Sequence, residues 1–220
     1  MKAANNLTIS EYDNGATTSG DNIPFWYLSN VQPKRFEKLN QNIETDTIVV
    51  GAGIAGLTTA YCLAKEGHKV VVVEDGSIGS GETGRTTAQL ATVLDKKYYQ
   101  LEIIFGEEKT KLIAESHMMA IDFVEETIRK EKIDCDFERL NGYLFKHLSD
   151  KSDSLEREYK ATLKTGIEIK EIDKTPGILT IEKALCFSNQ AQFHPLKYLN
   201  GLCIAIEKNG GKIFTFYYII

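Results

Sequence analysis

The sequence predicts an α/β fold built around a parallel sheet, and three neighbouring segments lead to this prediction. Two short runs, Thr47–Val50 and Val70–Val73, are rich in β-branched residues. The first run is predicted to be a short buried strand, and the continuous apolar pattern of the second is typical of a parallel strand that is covered on both faces. Between them, residues 54–65 carry apolar side chains at helical spacing. A strand, a helix and a second strand within about 30 residues form a βαβ unit, in which the two strands are parallel.

A glycine-rich turn joins the first predicted strand to the helix. Gly51, Gly53 and Gly56 have the spacing G-x-G-x-x-G, and Glu74 closes the second strand. In this context the pattern is the fingerprint of a Rossmann-like dinucleotide site. Gly51 permits the tight turn, Gly53 lets backbone amides approach a pyrophosphate, and Gly56 allows close packing of the helix. The helix N-terminus would bind the phosphates, and Glu74 would accept hydrogen bonds from a ribose.

More than one dinucleotide fits this fingerprint. Glu74 would repel the 2′-phosphate of NADP, whereas FAD and NAD are both compatible with it. The segment SGETGRTTAQL, at residues 80–90, follows soon after Glu74 and is rich in hydroxyls and backbone amides. Such a loop can wrap a second part of the cofactor. The alternative for this segment is an ordinary surface loop. The alternative for the fingerprint at residues 51–56 is a glycine-rich turn that binds nothing.

The rest of the chain predicts further helices and strands. In chain order they are helices at 95–105 and 107–132, a hairpin of strands at 136–140 and 143–147, a helix at 152–164, strands at 167–172 and 179–187, a helix at 196–209 and a strand-like run at 212–220. The hairpin prediction rests on Asn141-Gly142, a dipeptide favoured in two-residue turns. Trp26, in an aromatic segment ahead of the first strand, is predicted to anchor that segment rather than to stack on a ligand.

Composition and charge exclude several classes of protein. The 220 residues include 26 Lys and Arg against 31 Asp and Glu, a net charge of −5, so nucleic acid is not expected as a partner. With 42% hydrophobic residues the chain has the composition of a globular protein. No apolar run approaches the ~20 residues that span a bilayer. The polar start MKAANNLTISEYDNG lacks the apolar region of a signal peptide, which predicts a cytoplasmic location.

The cysteines and histidines predict neither a metal site nor a catalytic residue. The cysteines are far apart, without metal-ligand spacing, and are expected to be free thiols: Cys62, Cys135, Cys186 and Cys203. The histidines lie apart from any Ser or Cys nucleophile signature: His68, His117, His147 and His194.

Segments along most of the chain share the pattern of one family. TDTIVVGAGIAGLTTAYCLAKEGHKVVVVED, followed by GSGETGRTTAQL, resembles the FAD-dependent oxidoreductases of the D-amino-acid oxidase type, which include glycine oxidase. PFWYL, IDCDFERLNGYLF and FHPLKYLNGL resemble a bacterial subgroup whose members often carry a C-terminal Rieske iron–sulfur domain. The resemblance covers about residues 22–214. The paired C-x-H and C-x-x-H ligands of a Rieske centre are absent from the sequence, so no iron–sulfur site is assigned.

The resemblance implies a Rossmann-like FAD-binding domain interleaved with the start of a β-rich substrate domain. The resemblance implies the FAD-binding domain with a helical insertion at 22–132, part of the substrate domain at 133–193 and a return segment at 194–220. Residues 1–21 are rich in Asn, Thr, Ser and Gly, which predicts a flexible arm ahead of these domains. The pyrophosphate of FAD would lie on the glycine turn and the adenosine ribose on Glu74. The residues expected to contact FAD are Gly51, Gly53, Ile54, Ala55, Gly56, Glu74, Asp75, Thr83, Gly84, Arg85, Thr87, Ala88 and Gln89.

Three functions are compatible with this sequence. The first is an FAD-dependent oxidoreductase that oxidises the C–N bond of a small amine or amino acid by hydride transfer to the flavin. The second is a truncated, non-catalytic FAD-binding fragment, or one piece of a split enzyme whose partner chain supplies the missing half. This expectation arises because members of the family are much longer. The third, an NAD-dependent dehydrogenase, is disfavoured by the loop at 80–90.

Overall fold

A computed structural model describes residues 24–29, 34–146, 152–176 and 182–217. The chain divides into two compact units. The first unit comprises Met1–Thr87, Glu131–Cys135 and His194–Ile220, and the second comprises Ala88–Lys130 and Asp136–Phe193. The domain boundaries implied by the resemblance, after residues 21, 132 and 193, stay predictions.

Helices and strands alternate along the described residues, so the predicted α/β class is confirmed. In chain order the elements are α1 (Phe25–Leu28), β1 (Thr47–Val50), α2 (Ile54–Lys65), β2 (Val70–Val73), β3 (Gln89–Leu90), α3 (Tyr98–Phe105), α4 (Glu107–Glu131), β4 (Glu138–Phe145), α5 (Ser154–Leu163), β5 (Ile169–Lys174), β6 (Glu182–Gln192), α6 (Pro195–Lys208) and β7 (Lys212–Phe214). A 3₁₀ turn at Glu82–Arg85 lies between β2 and β3. None of the described helices is long and apolar enough to cross a membrane.

The first unit is built on a parallel sheet in which β2 lies between β1 and β7. All four valines of β2 are buried, as its continuous apolar run predicts. β1 differs, because Ile48 and Val50 are 59% and 69% exposed. Among the described residues, α2 packs against β1 but no element covers the face that carries these two side chains. The prediction that Thr47–Val50 is a buried strand is therefore wrong for Ile48 and Val50.

The predicted strand-like run at 212–220 is shorter in the structure. β7 ends at Phe214, and residues 218–220 lie outside the described residues. Thr215 is buried and leaves the sheet: its hydroxyl donates to the carbonyl of Phe36 at 2.8 Å, and its N–H donates to the carbonyl of Glu37. The segment ahead of β1 therefore binds the residues that follow β7.

The second unit is organised around β6. This strand pairs antiparallel with β4 along one side and with β3 and β5 along the other. Helices α3, α4 and α5 contribute to the core beneath it, in which Phe187 of β6 is fully buried beside Tyr98 of α3. Gly106, at φ +80°, ends α3 and lets α4 begin at the next residue.

The predicted hairpin at Asn141-Gly142 is wrong. β4 is one continuous strand through these residues and pairs with β6 along its length. The register shifts between Leu140 and Gly142, because β6 carries the extra residue of a β-bulge near Asn189, which has φ +59°. A Cβ on Gly142 would lie 3.2 Å from Cγ of Gln190. The glycine therefore allows close packing across the strands rather than a turn.

A buried carboxylate of α5 binds the first turn of α3. Glu158 is 1% exposed, and its side chain accepts hydrogen bonds from the N–H groups of Tyr98 and Tyr99, the latter at 3.3 Å. Since burial penalises the charged form, the pKa of Glu158 is raised above its ordinary value of 4.5.

We expect Glu158→Gln to flatten the pH dependence of stability. A carboxyl whose pKa is higher in the folded chain than in the unfolded chain binds a proton preferentially when folded. Its contribution to the free energy of unfolding is fully present below pH 4.5 and is lost as the pH rises through the raised pKa. Urea denaturation at a series of pH values should show this loss in the original chain and not in the variant. Parallel curves for the two proteins would contradict the prediction.

Candidate cofactor site

Residues 51–56, which we call the glycine cradle, form the turn after β1 and the start of α2. Two positions in this segment accept only glycine. Gly51 has φ +99°, a conformation that side chains disfavour, and its N–H donates to the carbonyl of Val73 at 2.8 Å. A Cβ on Gly56 would lie 1.9 Å from the carbonyl oxygen of Gly51. The first turn of α2 therefore packs directly on the backbone of the turn, as the fingerprint predicts for its first and third glycines.

The loop that contains the 3₁₀ turn meets the N-terminus of α2. Gly53 caps this helix without a side-chain hydrogen bond, and the N–H of Ile54 donates to Oγ1 of Thr83 at 3.0 Å. A Cβ on Gly53 would lie 3.1 Å from the same oxygen. Gly53 thus leaves space for the Thr83 hydroxyl beside N–H groups that have no acceptor within the helix. Two segments predicted to bind the cofactor are adjacent here.

We expect Thr83→Val to weaken FAD binding about fivefold, because valine keeps the shape of threonine and removes one hydrogen-bonding group. The dissociation constant can be measured from the quenching of flavin fluorescence. Thr59 is a matched control, since its hydroxyl donates to the carbonyl of Ala55 on an exposed part of α2. Thr59→Val should leave FAD affinity unchanged. Equal affinities of the Thr83 and Thr59 variants would remove Thr83 from the site.

Glu74 has a second role that the sequence analysis missed. Its carboxylate accepts hydrogen bonds from the N–H of Ala52, inside the glycine cradle, and from the N–H of Gly76 at 3.1 Å. The residue is only 8% exposed, and burial is the main cause of its raised pKa. Glu74 therefore fixes the cradle from the neighbouring strand. The parallel register that places Val50 beside Val73 is the signal that could have indicated this contact.

The remaining predicted cofactor residues lie in different surroundings. Gly84 is buried and its N–H donates to the carbonyl of Gly79, whereas Arg85 is half-buried within the same 3₁₀ turn. Of the predicted cofactor residues in the first unit, three are exposed: Ala55, Asp75 and Thr87. Two residues belong to the second unit: the buried Ala88 and the exposed Gln89.

His194 lies beside a serine that is distant in the sequence. Its Nε2 lies 2.8 Å from Oγ of Ser29, a residue 165 positions away in the chain. This proximity depends on α1 packing near the start of α6, which no local pattern reveals. The described residues hold no cluster of three or more His, Cys, Asp or Glu side chains able to bind a metal ion.

The cradle fits the pyrophosphate of a dinucleotide. Glycines keep side chains away from the start of α2, the positive end of the helix dipole lies there, and the Thr83 hydroxyl adds a polar group. Together with the parallel βαβ unit, this geometry defines the class of dinucleotide-binding proteins.

Residues 46–216 match the family described as "DAO: FAD dependent oxidoreductase", and the chain belongs to this family. FAD is the cofactor of the family. The resemblance to D-amino-acid oxidase-type enzymes is thereby confirmed.

Relatives and solved structures agree with this assignment. The chain is 35% identical over 190 residues to YhfW of Bacillus subtilis (strain 168), by name a Rieske 2Fe-2S iron-sulfur protein, with 86% of this chain and 37% of YhfW covered. It is 29% identical over 186 residues to gamma-glutamylputrescine oxidoreductase of Escherichia coli (strain K12), with 81% and 43% covered. The chain thus spans less than half the length of these curated relatives.

The fold is shared with solved structures of an L-amino acid deaminase and a glycine oxidase. L-amino acid deaminase from Proteus myxofaciens superimposes with a TM-score of 0.64 at 18% identity, covering 85% of this chain and 41% of that enzyme. Glycine oxidase from Geobacillus kaustophilus gives a TM-score of 0.61 at 18% identity, covering 78% and 46%.

Proposed function

We propose that this chain supplies the FAD-binding part of an oxidoreductase that oxidises the C–N bond of a small amine or amino acid. The glycine cradle, held by Glu74 and approached by Thr83, is the observation that carries this proposal. The names of similar proteins contain γ-glutamylputrescine, glycine and L-amino acids, all of which have an amine nitrogen. The proposed substrate is therefore a small molecule with an amine on the carbon to be oxidised.

The first unit would bind FAD through backbone groups and a few side chains. The N–H groups in the first turn of α2, at Ala55 and Gly56, would bind the pyrophosphate, with Thr83 beside them. Glu74 would bind the adenosine ribose through the acceptor positions that Ala52 and Gly76 leave. Arg85 is proposed as a partner of the cofactor phosphates or of the surrounding loop, not as a substrate clamp. Bound FAD supplies the hydride acceptor, and the chain orients it and excludes water.

The whole predicted set is retained as the proposed FAD site. It comprises Gly51, Gly53, Ile54, Ala55, Gly56, Glu74, Asp75, Thr83, Gly84, Arg85, Thr87, Ala88 and Gln89. No residue is proposed as catalytic.

A non-catalytic FAD-binding fragment, or one piece of a split enzyme, is the second candidate. It is favoured by the exposed apolar side chains of Ile48 and Val50, which lie on one face of β1. An uncovered apolar face is typical of a surface that binds further protein. A partner chain that supplies the second half of the fold would cover this face.

A visible absorption spectrum of the purified chain, before and after anaerobic addition of candidate amines and amino acids, tests these proposals. Flavin bands that bleach with one substrate support the oxidoreductase. Flavin bands that no substrate bleaches support the FAD-binding fragment. A protein that shows no flavin bands and does not bind added FAD would contradict both, and would favour the NAD-dependent alternative.

We further propose that the protein works in the cytoplasm. The sequence contains four cysteines, and all four are free thiols in the described residues. Free thiols are typical of a reducing compartment. Fractionation of cells that express the tagged protein would test this location.

A further inference from the structure

The short helix α1 touches the loop to which FAD is assigned. The indole N–H of Trp26 donates to the carbonyl of Thr86 at 2.7 Å, across 60 positions of sequence. Tyr27 is buried and packs against the same loop: its Cε2 lies 3.0 Å from the position that a Cβ on Gly84 would occupy. Thr86 directly follows the 3₁₀ turn, so α1 contacts the loop both within this turn, at Gly84, and just after it, at Thr86.

A second set of hydrogen bonds connects α1 to the start of α6. Nδ1 of His194 accepts from the N–H of Lys197 at 3.4 Å, as the N-cap of α6. In a neutral ring with Nδ1 as acceptor, the proton is on Nε2, which therefore donates to Oγ of Ser29 at 2.8 Å. The Ser29 hydroxyl in turn donates to the carbonyl of Trp26 at 2.5 Å.

The direction of these bonds assigns His194 and Ser29 a positioning role. A histidine that activates a serine must accept the hydroxyl proton, whereas here His194 donates and the Ser29 proton is directed to Trp26. The rings of Trp26 and His194 also lie 4.9 Å apart. Lys197, His194, Ser29, Trp26 and Thr86 thus form one continuous chain of contacts from α6 to the FAD loop.

We propose that residues 24–29 are a clamp that holds the FAD loop in its binding conformation, with Trp26 as the positioning residue. The loop is fixed at Thr83 by the N-terminus of α2 and at Thr86 by Trp26. A loop that is ordered before binding loses less conformational entropy when its ligand arrives. The clamp thereby increases FAD affinity without touching FAD. This inference rests on the proposed function for the identity of the ligand.

Limited trypsin digestion without FAD tests the clamp independently of the cofactor. Cleavage after Arg85, in the 3₁₀ turn, requires the loop to open locally. Trp26→Phe keeps an aromatic ring and removes the N–H donor, so cleavage at this site should be about fivefold faster. Leu28→Ala changes an exposed side chain of the same helix and should leave the cleavage rate unchanged.

FAD affinity and tryptophan fluorescence provide the second test. Trp26→Phe should raise the dissociation constant of FAD about fivefold, and Leu28→Ala should not change it. Trp26 is the single tryptophan of the sequence, so its emission reports the clamp directly. Ser29→Ala should shift this emission to longer wavelength as the indole becomes more exposed. Ser116→Ala, which removes an exposed hydroxyl from α4, should not.

The possible results separate the clamp from the proposed function. Unchanged cleavage after Arg85 and unchanged FAD affinity in Trp26→Phe would overturn the clamp. If the original chain does not bind FAD, the proposed function fails, and the cleavage rates still decide whether α1 holds the loop. If circular dichroism shows that Trp26→Phe does not fold, Ser29→Ala decides. Faster cleavage after Arg85 together with a red-shifted emission supports the clamp, whereas the absence of both changes overturns it.

Discussion

Gly56→Ala is expected to destabilise the protein by about 3 kcal/mol. The added Cβ would lie 1.9 Å from the carbonyl oxygen of Gly51, and a backbone oxygen cannot move aside as a flexible side chain can. In an open helical position, alanine would instead be more stable than glycine by about 0.5–1 kcal/mol. The clash therefore reverses the sign of the expected change. Urea denaturation of the flavin-free protein would measure it.

Gly67→Ala is the matched control for this substitution. Gly67 lies just after the same helix, at φ +87°, with no atom within 4 Å of the added Cβ. Only the backbone conformation opposes alanine there, at a cost of about 1 kcal/mol. A loss of stability no larger for Gly56→Ala than for Gly67→Ala would show that the cradle is not closely packed.

Glu74→Arg is expected to lower both FAD affinity and the stability of the flavin-free chain. The substitution removes the acceptor of two N–H groups, those of Ala52 and Gly76, and places a guanidinium at a buried position. Each buried donor left without a partner costs about 1–3 kcal/mol. Loss of the proposed ribose contact should weaken FAD binding by one to two decades, about 1.5–3 kcal/mol.

Two measurements distinguish the roles of Glu74. Urea denaturation without FAD reports the support of the cradle, and a flavin titration reports the ribose contact. Glu44→Arg is the control, because Glu44 is an exposed carboxylate of the same unit, lies outside the proposed FAD site and undergoes the same charge change. If Glu74→Arg and Glu44→Arg had equal stability without FAD, Glu74 would have no role in holding the cradle. If their FAD affinities were equal, Glu74 would not contact the ribose.

The βαβ unit and the roles of its first and third glycines could be predicted because the signals are local. Gly51 needs a positive φ, and Gly56 must lie against the preceding turn wherever this turn occurs. The four valines of β2 form an uninterrupted apolar run, which is the pattern of a buried central strand. Each of these features depends on residues within one turn or strand, so the sequence contains the necessary information.

The failures arise where distant residues determine the structure. Asn141-Gly142 has the composition of a turn, but pairing with β6, more than 40 residues later, extends the strand through it. The proximity of Ser29 and His194 likewise depends on tertiary packing, not on spacing in the sequence. The exposed face of β1 was also missed, because an apolar run looks the same whether its cover is present or absent among the described residues.

The pairing of β2 with β7 has a consequence for biosynthesis. β2 finds one neighbour in β1 almost at once, but its other neighbour lies roughly 140 residues further along the chain. At ribosomal rates of about 5–20 residues per second, that edge of β2 waits on the order of ten seconds for β7. During this interval the nascent chain displays a valine-rich edge that could pair with another chain. The order of strands in the sheet therefore makes chaperone contact most useful before residue 212 leaves the ribosome.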